Sequence, residues 1–165
     1  MENILAQAKR VAEETEVFMV SSEETPVQFE ANRLKRIQGK QSTSLTLRIV
    51  KEGRVGYAST TELGDTQRLV DNAVETAQFG MRAKFELPQK ATYPQIEIFD
   101  PNVESTSIEK MIEFGDELIT LVTEHTPDII CEAMVSKDII SLQIMNSRGG
   151  QASYKKSIFS LGIIG

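Results

Sequence analysis

Residues 25–60 read TPVQFEANRLKRIQGKQSTSLTLRIVKEGRVGYAST, and the spacing of apolar side chains in this stretch decides the fold class. Val27/Phe29/Ala31, Leu45/Leu47/Ile49 and Val55/Tyr57 alternate with polar neighbours. A period of two turns one face of each run inward and the other outward, as in a half-buried strand. Lys51-Glu52-Gly53-Arg54 separates the last two runs, and its glycine supplies the positive φ that a tight hairpin needs. The stretch therefore predicts an antiparallel meander, solvated on one side. It is also basic. Between Arg33 and Arg54 stand Arg33, Lys35, Arg36, Lys40, Arg48, Lys51 and Arg54 against Glu52 alone, a net charge of +6 inside a chain of net charge −6.

The rest of the composition is that of an ordinary soluble domain, with 40% hydrophobic and 25% charged residues in 165. That length suits one domain able to bury its own core. No apolar run is long enough to span a bilayer. The charged N-terminal MENILAQAKRVAEE lacks the apolar centre of a signal peptide. One cysteine, Cys131, excludes an internal disulfide framework and fits a reducing cytoplasm. The acidic balance argues against general nucleic-acid binding. The final run, Ser157–Gly165, is apolar and strand-like, which leads us to expect a domain drawn from a longer protein.

Outside the meander, Ile4, Leu5, Ala8, Val11 and Ala12 form the stripe of an amphipathic helix. Val17–Val20 is a short apolar run, and Ser21–Pro26 reads as a turn. Asp65 is placed to cap a helix from Thr66 to about Arg82, with Leu69, Val70, Ala73, Val74, Ala77 and Met81 inward. Pro88, Pro94 and Pro101 predict an extended connection over residues 86–104, with a short strand at Ile96–Phe99. Thr106-Ser107-Ile108-Glu109 has the form of a capping box. The helix after it buries Ile108, Met111, Ile112, Gly115, Leu118, Ile119 and Val122, and Pro127 marks its end. Three strand-like runs follow, Ile129–Val135, Ile139–Met145 and Ala152–Ile164, separated by Ser136-Lys137-Asp138 and Ser147-Arg148-Gly149-Gly150.

Helix then strands occurs twice in this order. Asn32, Leu45, Leu47 and Ile49 each meet a counterpart 114 residues on, at Asn146, Phe159, Leu161 and Ile163. The predicted class is α+β, an antiparallel sheet packed with helices, with an internal duplication of a helix-strand-strand-strand unit as one reading. The halves would be about 1–85 and 105–165.

Few residues suggest chemistry. His125 sits at a helix end, where an imidazolium would favour the dipole, and Cys131 reads as a small buried hydrophobe. No His-Glu-x-x-His pair and no Cys-x-x-Cys pair occurs. The pairs Glu13/Glu14 and Glu23/Glu24 read as solvated, and Gly149-Gly150 as a tight turn. The candidate partner-binding residues are Arg33, Lys35, Arg36, Lys40, Arg48 and Arg54. Cations on exposed strands also guard against edge-to-edge pairing, and that alternative stays open.

Leu45–Ile49 followed by Gly53–Leu63 resembles the N-terminal domain of the TldD/PmbA family, as do the helix Leu69–Phe79 and the turn Ile144–Gly150. The GYASTTEL wording is similar to the PmbA branch, also called TldE. The resemblance implies an N-terminal, non-catalytic domain, here residues 1–165, of a cytoplasmic subunit in a TldD/TldE-type metallopeptidase that matures or degrades peptides. It implies a TldD-type partner chain and a peptide substrate. Zinc would be held by a His-Glu-x-x-x-His motif in the TldD-type chain or a downstream region, and no cofactor by these residues. The family's other label implies an alternative, a non-proteolytic module modulating DNA gyrase or a toxin–antitoxin partner. Self-association through the strand at 157–165 is a further expectation.

Overall fold

A computed structural model describes every residue from Met1 to Gly165. The elements in order are α1 (Glu2–Ala8), β1 (Glu14–Glu30), β2 (Arg33–Ile37), β3 (Lys40–Lys51), β4 (Arg54–Thr60), α2 (Thr66–Ala77), α3 (Pro101–Ser105), α4 (Ile108–His125), β5 (Glu132–Asn146) and β6 (Gln151–Ile164). The six strands form one antiparallel sheet in the order β4-β3-β1-β5-β6, with β2 paired to β1. The α+β class expected from the alternation is the class observed.

The chain forms two compact units that are not contiguous in sequence. One holds residues 1–21, 42–96 and 141–154; the other holds 22–41, 97–140 and 155–165. Thus β1, β5 and β6 each supply residues to both, and a cut near residues 86–104 does not separate them.

In the first unit, Ile4, Leu5 and Ala8 of α1 join Val17 of β1, Leu45, Leu47 and Ile49 of β3, and Leu69, Val70, Ala73 and Ala77 of α2. The meander's middle run faces inward as its alternation predicts. The last run does not. Glu52 and Gly53, with φ of 52° and 68°, make a two-residue turn that pairs Lys51 with Arg54 and hence Ile49 with Gly56 and Leu47 with Ala58. Opposed residues share a face. Gly56 and Ala58 therefore point to the core, while Tyr57 is exposed. A Cβ on Gly56 would overlap the Ala73 carbonyl oxygen, so the missing side chain is what lets α2 lie against β4.

Asp65 caps α2 by accepting from the Arg68 N–H at 3.1 Å, but the helix stops at Ala77, short of the expected Arg82. Residues 79–83 turn back along β4 instead, with Val55 N–H donating to Met81 O and Ala83 N–H to Gly53 O. Met81 is consequently exposed rather than part of the buried stripe.

In the second unit, Val27 and Phe29 of β1 pack with Met111 and Ile119 of α4 and Ala133 and Val135 of β5. Gly115 gives the Phe29 ring its seat, since a Cβ there would overlap the ring. Phe114 meets Phe159 edge to face at 5.8 Å.

Two expected turns are strand interior. Ser21–Pro26 lies within β1, where Ser21 Oγ and Thr43 Oγ1 form a hydroxyl pair at 3.0 Å. Ser136-Lys137-Asp138 lies within β5, where Lys137 Nζ donates to the carbonyls of Glu104 and Thr106 at 2.9 and 2.6 Å. Polarity there marks side-chain partners, not a break in the backbone. Of the two acidic pairs, Glu23/Glu24 is exposed as expected, but Glu13 and Glu14 are used. The Glu13 carboxylate accepts from the N–H groups of Glu52 and Gly53 at the hairpin tip. Glu14 pairs with Arg148 and accepts from the Leu87 N–H.

The capping box is shifted by one residue. Ser107 is the cap, accepting from the Lys110 N–H at 3.2 Å, while the Thr106 hydroxyl donates to Asn102 O at 2.7 Å and closes α3. The Glu109 carboxyl is held below its ordinary range by its own backbone N–H and the Ser107 hydroxyl. The expected strand at Ile96–Phe99 does not form. Pro101 opens α3 behind Asp100, a placement that suits a residue with fixed φ and no N–H.

Candidate functional site

The basic stretch is divided between the units, and most of its cations in the first unit are engaged within the chain. Arg48 pairs with Glu16 at 2.6 Å and lies over the Phe85 ring at 4.8 Å. Lys51 Nζ donates to Val11 O at 3.0 Å, and Arg54 Nη1 to Gly80 O at 2.8 Å. The solvated face expected for Arg48 is thus taken by Glu16 and Phe85.

In the second unit the β1–β2 hairpin carries the remainder. Ala31 and Asn32 form its loop, with φ of 49° and 62°. Left-handed backbone is costly for alanine, and the Asn32 amide offsets that cost. Its Nδ2 donates to Ile129 O at 2.8 Å and its Oδ1 accepts from Cys131 N–H at 2.7 Å, so the side chain acts as one more peptide group. Beyond the loop, Phe29 pairs with Leu34 but Gln28 pairs with Arg36, leaving Lys35 as the extra residue of a bulge. The bulge puts Arg33 and Arg36, three apart, on one face. Lys35 pairs with Glu30 at 3.1 Å; Arg33, Arg36 and Lys40 are exposed and make no ion pair.

The surface also holds concavities. A cleft of about 410 Å³ in the first unit is lined by Ser44, Ser59, Thr61, Glu62, Arg68 and Asn72, and several of its polar groups pair locally, Thr46 with Ser59 and Arg68 with Glu62. A groove of about 540 Å³ in the second unit lies on the sheet face turned away from α4, where Gln28, Glu30, Glu132, Met134 and Ile164 alternate with the α4-packed Phe29, Ala133 and Ile163. Sequence reading missed this groove because β1, β5 and β6 contribute three residues each from distant segments.

His125 is exposed and bonded through Nδ1 to Thr126 Oγ1, Cys131 is buried, and no group of three His, Cys, Asp or Glu is placed to hold a metal. The one histidine and one cysteine do not fit a four-coordinate site.

Residues 15–77, which hold β1 through α2, match the family model described as PmbA/TldA metallopeptidase domain 1. Over those 63 of its 165 residues the chain is similar to the first domain of that family. An uncharacterised protein of Methanocaldococcus jannaschii is 25% identical over 165 residues, covering 99% of this chain and 38% of that protein. TldE from Thermococcus kodakarensis shares the fold at a TM-score of 0.84 and 17% identity, covering 100% of this chain and 39% of that one. A candidate modulator of a DNA gyrase from Thermotoga maritima does so at 0.82 and 15% identity, covering 97% and 37%. The chain therefore spans under two fifths of the length of each of these proteins. No helix in it is long and apolar enough to cross a membrane.

Proposed function

We propose that this chain is the first, non-catalytic domain of a longer PmbA/TldE-type subunit, cytoplasmic, which works with a zinc-bearing TldD-type chain in peptide maturation or degradation. The observation that carries the reading is the likeness to the Thermococcus kodakarensis TldE, which extends over the whole of this chain. The catalytic metal belongs outside these residues, in the TldD-type chain or a downstream region. The contribution of this domain is a surface. Arg33, Arg36 and Lys40 are cations with no intramolecular ion pair in a chain of net charge −6, and they would steer an acidic partner face or peptide.

Association with a TldD-type subunit, measured at low and high salt for the wild type and for R33E/R36E/K40E, tests this. The variant should associate about tenfold more slowly at low salt and nearly normally at high salt, where screening removes the steering. Equal rates at both salt concentrations would reduce these cations to guards of the β2 edge. Wild type that binds gyrase and ignores the TldD-type chain would favour the second reading, a non-proteolytic modulator, which draws on the name carried by the Thermotoga maritima protein.

A further inference from the structure

Phe79 and Met81 are each 85% exposed, the highest values among the large apolar residues. They flank Gly80 in the turn after α2, and that turn is fixed by its backbone. Gly80 N–H donates to Ala77 O, Arg54 Nη1 to Gly80 O at 2.8 Å, and Val55 N–H to Met81 O at 2.9 Å. A Cβ on Gly80 would overlap the Val55 carbonyl oxygen. The two side chains are thus held in water by a pre-ordered backbone, which lowers the entropy cost of inserting them into a partner. Arg82 and Lys84, just beyond, are exposed and make no ion pair.

The groove of the second unit has the complementary chemistry. Its apolar surface is supplied by Met134 and Ile164, 47% and 69% exposed. Glu30 and Glu132 line it. Its one cation, Lys35, is already paired with Glu30, whereas Glu132 makes no ion pair. Its volume of about 540 Å³ falls in the range of pockets that enclose groups larger than a single side chain. We propose that the Phe79–Gly80–Met81 turn of one copy of this chain seats in the groove of a second copy, with Arg82 and Lys84 toward Glu132 and Glu30. The contact is heterologous, using a different surface on each copy. An anionic bilayer is the poorer occupant for the turn, because the chain as a whole carries −6.

The test is sedimentation of the 165-residue chain over a concentration series, with two variants whose changed residues are all exposed. F79S/M81S removes the inserted side chains and keeps the groove; M134K/I164K blocks the groove with cations that repel Arg82 and Lys84. Wild type should self-associate, more weakly at high salt, and each variant alone should lose association by about tenfold or more. An equimolar mixture of M134K/I164K with F79S/M81S should recover a complex, because one supplies the turn and the other the groove. Circular dichroism of each variant checks folding. A monomeric wild type at every concentration would overturn the proposal. So would variants that associate like wild type, a mixture that stays monomeric, or Phe79-dependent binding to anionic vesicles by a chain that does not self-associate.

Discussion

Asn32 shows how much one side chain decides here. Its sequence neighbours suggest only the end of an apolar alternation, yet its amide ties the β1–β2 loop to the segment at Ile129–Cys131 with two hydrogen bonds. Asn146, the residue 114 positions on, has a similar duty in the other unit. Its Oδ1 accepts from the N–H groups of Arg148 and Gly150, and its Nδ2 donates to Pro88 O. The sequence offset thus corresponds to a shared role at the end of a long strand. Replacing Asn32 by Ala removes both bonds, strands a Cys131 N–H and leaves a Cβ residue at positive φ. The expected cost is roughly 2–4 kcal/mol. Asn32→Gly keeps the backbone freedom and loses only the bonds, so it should cost about 1–2 kcal/mol less than Ala. Urea unfolding of both variants checks the order, and equal destabilisation would show that the backbone conformation contributes little.

At the scale of elements, the β3–β4 hairpin carries its own correction. Once the loop is two residues, Glu52-Gly53, the register follows, and Gly56 and Ala58 must oppose the inward Ile49 and Leu47. Val55 and Tyr57 alternate equally well, but alternation alone does not say which parity is buried. The small residues fit because α2 comes so near that a Cβ at 56 would strike the Ala73 carbonyl. Gly56→Ala should therefore destabilise by roughly 1–3 kcal/mol through overpacking, despite the usual gain from replacing glycine in a strand. Thermal melting of the variant decides it, and an unchanged or higher midpoint would mean that α2 can shift without loss. The long strands β1 and β5 teach the complementary lesson. Polar runs at 21–26 and 136–138 look like turns only until Thr43, Glu104 and Thr106 supply their partners.

For the whole molecule, the connection that three prolines marked as a plain surface crossing is fastened at its start. Glu86 pairs with Arg148 at 2.7 Å, Leu87 is buried, and Pro88 O accepts from Asn146. Residues 91–97 are exposed throughout and form no regular element. Thermolysin, which cleaves before large apolar residues, should cut at the exposed Gln95–Ile96 bond before any site in β3 or β4, because cleavage needs a local chain that can open without breaking the sheet. Mass spectrometry of early fragments reads the site. A first cut inside residues 45–60 would contradict the placement of the core.

What the sequence determined by itself is what depends on neighbours a few residues away. The period-two runs specified strands, Leu69 to Ala77 specified the buried stripe of α2, Asp65 its cap, and Glu52-Gly53 the hairpin. The likeness to the family was likewise legible, in the run from Leu45 to Leu63, which lies inside the matched residues 15–77. Only the tertiary structure decided which cations remain free, because Glu16, Val11 and Gly80 reach Arg48, Lys51 and Arg54 from other elements. It alone brought Met134 and Ile164 to one groove and turned Phe79 and Met81 out to solvent. Those outcomes rest on hydrogen bonds and burial between segments far apart in the chain, and no local pattern encodes which distant partner a side chain will meet.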